Sequence, residues 1–484
     1  MDFFLYLCAL NCVIYIKLPI WASKLIYKVM IQLKELQLSN FKCFDETPKI
    51  EFGKITLLLG ANSAGKSSLM YSMLCIFQSI PTLLRLSLNQ DFIHLGNFEE
   101  AAFNHEKNRV MHINFVLAKD GVDYTYKTSW RCDEQSNQPV LKMLSCESDH
   151  YKYKIRENLS GGRHYLLDLK YDYRLTQAAT DTHEQTLRSL QEFVLSGKVP
   201  YTNPTEYSQQ LAAWFSPIEK QDILIDINAN SNMMIKTDSH ASMIFNLVSY
   251  DSSRVISEYV KNMNYISSYR SPALRLYTEM PVVNGKVQPS GNGFVTELLK
   301  WSTEDPQRYL ALIESLRSLG MLYAVESARR EEGNFVVRVQ VNEDGPKANL
   351  YDVGFGISQL LPIIVGDFEL EDESTLFAAQ PEIHLHPSVQ ANLGDYFTTQ
   401  VKSAHKNYVI ETHSECLMNR LRLKIVKGEL QPEDVRVYYL NQENNKSVVH
   451  EIKFLKDGRI VGAPEDFFET YMVDVMNIAM EAAE

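Results

Sequence analysis

Residues Gly60-Ala-Asn-Ser-Ala-Gly65-Lys66-Ser67 place two glycines, a lysine and a hydroxyl at the spacing G-x-x-x-x-G-K-S. These residue types suit the holding of a polyphosphate. Glycines let the backbone approach an anion where a Cβ would clash. Successive N–H groups wrap the phosphates, and a helix N-terminus behind them adds partial positive charge. Lys66 reaches the β- and γ-phosphates, and the Ser67 hydroxyl is a ligand for Mg²⁺. Asn62, Ser63 and Ser68 complete the set expected around a bound nucleotide, so ATP and Mg²⁺ are the expected ligands.

Chemistry of this kind needs a strand before the loop and a helix after it, and both are legible. Lys54–Gly60 (KITLLLG) is a short apolar run ending in glycine, which predicts a central strand buried on both faces. Leu69, Met70, Met73, Leu74 and Phe77 recur at helical spacing, predicting a helix over Lys66–Phe77. Apolar and polar residues alternate from Ile31 to Leu38 with one slip of phase at Glu35, as in a strand with one buried face. Residues 109–175 alternate in short pieces (RVMHINFVLA, DYTYKTSW, YKYKIRE) and predict an antiparallel sheet. Residues 183–330 read as mostly helical, with THEQTLRSLQEFVLSG and YSQQLAAWFSPIE as examples.

Strand and helix then alternate to the end. NFVVRVQV, STLFAA and KNYVIET read as strands. FGISQLLPIIVGDF reads as a helix in which Pro362 is tolerated only near the first turn. A second helix opens at Pro387, and a third is closed by Gly428. VRVYYLN and SVVHEIKF form a predicted hairpin. The expected fold is α/β, a P-loop NTPase with two lobes split by a long mixed β and helical insertion. The expected division is an apolar extension (1–29), a lobe with the phosphate loop (30–120), the insertion (121–330) and a C-terminal lobe (331–484).

Composition narrows the class. A chain of 484 residues that is 45% hydrophobic and 22% charged is globular rather than disordered. A net charge of −12 argues against a uniformly basic, nucleic-acid-coating surface, although a local basic groove is compatible with it. Seven scattered cysteines without a CxxC pair predict free thiols in a reducing, cytoplasmic setting. The first thirty residues are apolar and aromatic, but Asn11 interrupts them and the unbroken part is shorter than the ~20 residues of a membrane span. Asp2 and the lack of a small-x-small cleavage site argue against a signal peptide. Two readings stay open: an incidental extension ahead of a start at Met30, or a segment that docks on a membrane or partner.

Asn62 within the loop, the preceding LSNFKCF and the later LFAAQPEIHLHP together resemble the RecF/SMC/OLD-type ABC ATPases. The resemblance covers residues 31–115 and 335–470 and implies an ABC-ATPase head. It identifies Tyr351-Asp-Val-Gly354-Phe-Gly356-Ile-Ser358-Gln359 as a degenerate signature motif. Gly354, Gly356 and Ser358 would then face the γ-phosphate held by a second subunit. It identifies VIETHS as the switch-histidine strand end, with His413 at the γ-phosphate. GRIVGAPEDFF resembles the tail of the group, and Arg270 a recurring arginine of structural role. His384 and His386 also recur there, yet two histidines two apart make no zinc site without further ligands.

One position departs from the pattern. The family's second nucleotide strand ends in an acid that serves Mg²⁺, and here that place holds Ala379. Gln380 falls where many ABC enzymes carry the glutamate that orients the attacking water, and this subgroup often has glutamine there. Glu382 is then the nearest remaining carboxylate and a candidate to assist. Natural loss of hydrolysis and a deliberate Glu→Ala change both account for Ala379, and the otherwise intact motifs favour the second. Either way the expectation is a chain that binds ATP and turns it over slowly.

The resemblance further implies homo-oligomers, as ATP-sandwiched dimers or a larger ring. About 70 residues follow His413, fewer than the Toprim domain of OLD-type nucleases needs, and there is no HNH-like cluster. The chain therefore resembles the ATPase components of bacterial anti-phage systems of the PARIS and Septu kind, which pair with a separately encoded Toprim or HNH nuclease. DNA or a phage protein is the expected trigger. The alternative is a RecF-like repair ATPase on duplex DNA. A transporter ATPase is disfavoured because LSGGQ is absent.

Overall fold

The apolar run into the phosphate loop decides where the core forms. In the computed structural model the described residues are 30–79, 84–158, 164–172, 217–227, 233–235, 239–278, 286–330 and 334–464, with 467, 478 and 480–481 beyond. Met1–Met30 form a separate unit from Ile31–Glu484. The apolar extension, the helical readings at 182–197 and most of 207–219, and part of the GRIVGAPEDFF tail lie outside the described residues.

Strand β1 (Ile55–Gly60) is buried along its apolar length. It belongs to a seven-stranded sheet with β2 (Met263–Ile266), β3 (Thr375–Ala379), β4 (Asn407–Glu411), β5 (Val435–Glu443), β6 (Lys446–Phe454) and β7 (Ile460–Val461). The spatial order is β2-β3-β4-β1-β5-β6-β7. The first five in that order are parallel. The hairpin β5–β6 and the short β7 add antiparallel strands at one side. In an open parallel sheet ligands gather beyond the carboxyl ends of the strands. Here those ends are Gly60, Ala379 and Glu411.

Helix α1 (Lys66–Phe77) leaves the loop with buried residues on every side, including Leu69, Met70, Leu74, Cys75 and Phe77. A helix apolar all round must be covered all round. Phe77 meets Phe377 of β3 on one side, and Phe115 and Tyr259 on the other, with ring centroids 6.4, 6.3 and 4.9 Å away. The opposite face of the sheet buries Ile55, Leu57, Leu376 and Ile410 against Leu360, Ile364 and Leu417. Leu360 and Ile364 come from α2 (Phe355–Glu369). Two further helices, α3 (Pro387–Ser403) and α4 (Glu415–Val426), follow β3 and β4. Among the described residues no helix is long and apolar enough to cross a membrane.

A ten-stranded sheet begins with Ile31–Phe41 and continues through Met111–Lys119 and the strands to Met233–Ile235. The slip of phase at Glu35 is a register shift between Leu33 and Glu35 against Met111–Lys119, the local signature of a β-bulge. A third sheet joins Tyr277–Thr278, Ala324–Arg329, Asn334–Gln340 and Lys347–Asn349.

Several elements differ from the local reading. Ile218–Ile227, inside the stretch read as mostly helical, is a strand paired with His164–Tyr171. Met263–Ile266 returns from the middle of the chain to the nucleotide sheet, paired parallel to β3. Pro362 sits mid-way along α2 rather than in its first turn. A proline there removes one helical hydrogen bond. Its ring packs at Gly291, where an added Cβ would lie 2.9 Å from Pro362 Cβ, so tertiary packing holds the helix together at that point.

Candidate nucleotide-binding site

The loop's conformation is dictated at two glycines. Gly60 has φ +136°, and a Cβ there would lie 2.0 Å from the Leu440 carbonyl oxygen. Gly65 has φ +102° and opens α1 with no side-chain cap on the helix N-terminus. The first-turn N–H groups are therefore left to face the loop, the arrangement that binds phosphate. Asn62 and Ser63 are exposed on the loop, and the Ser63 carbonyl accepts from Gln442 Nε2 at 3.1 Å. Ser68 lies half-buried in the first turn of α1.

Lys66 is buried and its Nζ donates to the carbonyls of Gly60 and Ala61 at 3.0 and 2.8 Å. Burial lowers its pKa, opposed by the carboxylates of Glu411 and Glu382. Ser67 Oγ donates to Glu411, 2.8 Å from Oε2 and 3.0 Å from Oε1. Burial raises the Glu411 pKa, while Ser67 and Lys66 oppose that rise.

The local reading names Glu382 as the nearest remaining carboxylate and a candidate to assist; the carboxylate hydrogen-bonded to Ser67 is Glu411. Glu382 instead accepts the His413 backbone N–H at 2.7 Å through Oε1, and its buried Oε2 has no hydrogen-bond partner among the described residues. Burial raises its pKa. The signal for Glu411 was present in VIETHS, where a carboxylate ends an apolar strand. Finding it requires the sheet register: Glu411 pairs with Ala379 on one side and Leu58 on the other.

His413 lies two residues past the end of β4, and burial together with Lys66 lowers its pKa. Its imidazole is thereby biased toward the neutral form. Gln380 has φ +47°, and its N–H donates to the Glu411 carbonyl at 2.7 Å. Arg270 is buried and ties these ends together. Its Nη1 donates to the carbonyls of Ser267 and Ala379 at 2.8 and 2.9 Å, and its Nη2 to that of Gln380 at 3.0 Å. Burial pushes its pKa down to about 10, countered by Glu382. Ala379 itself is only 2% exposed.

The signature residues lie elsewhere in the chain's own packing. Gly354 is the N-cap of α2, and the Ser358 hydroxyl donates to the Phe355 carbonyl at 2.8 Å. A Cβ on Gly356 would lie 2.4 Å from the His384 carbonyl oxygen, so glycine is needed for this approach. Phe355 meets His384 edge-on, whereas His386 caps α3 through Ser388. The structure thus brings Lys66, Ser67, Glu382, Glu411 and His413 to one place, and gathers Gly356 and Phe355 at His384.

Residues 31–418 match the AAA ATPase domain family. The chain belongs to that family. This AAA-domain ATPase has an α/β fold in which β4 lies between the loop strand and β3 of the parallel nucleotide sheet. No curated protein matches it in sequence. Among solved structures it is similar to the SMC head domain from Thermotoga maritima, with 10% identity and TM-score 0.31 over 86% of this chain and 98% of that chain. It is also similar to the Smc head domain with an extended coiled coil, bound to the C-terminal domain of ScpA, derived from Pyrococcus furiosus. That match has 11% identity and TM-score 0.36 over 94% of this chain and 100% of that one.

Proposed function

We propose that this ATPase is a nucleotide-operated regulatory subunit: it binds ATP with Mg²⁺, hydrolyses it slowly, and through its ATP-dependent oligomer restrains or recruits a separately encoded effector, a nuclease, in bacterial anti-phage defence. The observation that carries the regulatory reading is the contrast at the strand ends. Loop, lysine, hydroxyl and His413 are assembled for binding, while the β3 end carries a buried methyl group. A site complete for binding but without an acid at the β3 end favours residence of the triphosphate over turnover. Differential affinity of ATP for two assembly states is what lets such residence act on a partner.

In this reading Gly354, Gly356 and Ser358 meet the γ-phosphate of a neighbouring copy, Gln380 and Glu382 flank the attacking water, and the chain between the two lobes carries partner specificity. The family membership supports the ATPase core, and the defence role rests on the motif resemblance. Affinity purification of the tagged chain from its native host, with and without ATP, tests the partner. A nuclease subunit recovered in an ATP-dependent manner is the expected result. Recovery of the chain alone in both conditions overturns the effector reading.

A further inference from the structure

Magnesium sites that serve nucleotides are built from oxygen donors: one or two protein carboxylates or hydroxyls, with phosphate oxygens and water filling the rest. The residues here fit that chemistry. Ser67 Oγ lies 2.8 and 3.0 Å from the two oxygens of Glu411. Glu411 is in turn 5% exposed and ends an apolar strand. A carboxylate taken out of water is costly without a cation or several donors. Ala379 and Glu411 are register partners on adjacent parallel strands. Directly paired residues point to the same face and stand about 4.8 Å apart. That face is the one covered by α1, because Phe377, two residues before Ala379, packs on Phe77.

We propose that Glu411 supplies, one strand nearer the loop, the metal-side carboxylate that β3 lacks at Ala379, and that with Ser67 it holds the divalent cation of a bound nucleoside triphosphate. The acid has a place in the site, displaced by one strand spacing. This inference rests on the nucleotide-binding reading above and assigns its metal side. Glu382 is placed differently: its Oε1 accepts the His413 N–H, whereas Glu411 is the carboxylate hydrogen-bonded to Ser67. When bound, the cation would shield the charge of the phosphates beside Ser67, and Glu411 would fix its position.

The test uses the full chain with Mn²⁺ as a paramagnetic probe and a non-hydrolysable ATP analogue. Mn²⁺ affinity of the analogue complex is read by electron paramagnetic resonance, and analogue affinity in chelator by calorimetry. Glu411→Gln is expected to lose roughly 10- to 100-fold in Mn²⁺ affinity, a larger loss than any it shows for the analogue in chelator. Glu411→Asp, which keeps the charge and withdraws it by one methylene, should fall between the two. Adding Ala379→Glu to Glu411→Gln should restore much of the loss. Unchanged Mn²⁺ affinity in both Glu411 variants overturns the assignment. An unaltered chain that binds no analogue under any condition overturns the nucleotide reading instead. If Glu411→Gln fails to fold, Glu411→Asp and Ala379→Glu carry the comparison.

Discussion

Two neighbouring strand ends carry different chemistry, a methyl at Ala379 and a carboxylate at Glu411. Hydrolysis needs charge stabilisation in the transition state beyond what binding needs. Ala379→Glu is therefore expected to speed phosphate release by roughly 10² to 10³, the range of a few kcal/mol of added stabilisation. Equal rates in a steady-state phosphate assay would reject the role given to this position. Lys66 carries a separate burden. Its Nζ already donates to two loop carbonyls, and exchanging them for phosphate oxygens yields charge-assisted bonds. Lys66→Ala should weaken ATP binding by at least about tenfold. The loop was legible residue by residue because its chemistry depends on consecutive positions. Glu411 was not, because its partners Ser67 and Ala379 are distant in sequence and meet it only through sheet register.

Elements follow the same division between local and non-local causes. The α1 limits read from apolar spacing coincide with the helix that forms, Lys66–Phe77, and the phase slip at Glu35 marks a real register shift. Both depend on near neighbours. The strand at Met263–Ile266 depends on pairing with Thr375–Ala378, which no local window contains, and Pro362 inside α2 depends on Gly291. Two predictions belong here. Gly60→Ala forces a Cβ onto the Leu440 carbonyl at an unfavourable φ, and should destabilise the fold by about 2–4 kcal/mol, read as a lowered Tm. At the end of α2, Glu369 accepts the Val287 N–H at 2.7 Å, and burial pushes its carboxyl up to about 8 from 4.5. The folded protein then keeps a proton that the unfolded chain releases. This contribution is fully present below about pH 4.5 and is lost as pH rises toward 8. Glu369→Gln should flatten the decline of Tm over that window, and an unchanged slope would contradict the assignment.

At the scale of the whole molecule, the parallel sheet's carboxyl ends carry the phosphate loop after Gly60 and set Ala379 and Glu411 side by side. The proposed assembly brings a second copy to those ends. Tyr351 and Phe355, 54% and 50% exposed beside the signature glycines, are large apolar side chains that self-association would cover. Light scattering should show a mass increase on addition of ATP and Mg²⁺, abolished by Phe355→Asp. A mass that ignores nucleotide would count against an ATP-operated assembly while leaving the binding site itself intact.

The binding site is tested most directly by calorimetric titration of ATP in Mg²⁺ into the full chain and into its Lys66→Ala variant. Saturable heat in the first and its near loss in the second is the predicted result. An absence of heat in the unaltered chain, or identical isotherms in the two, would contradict the account.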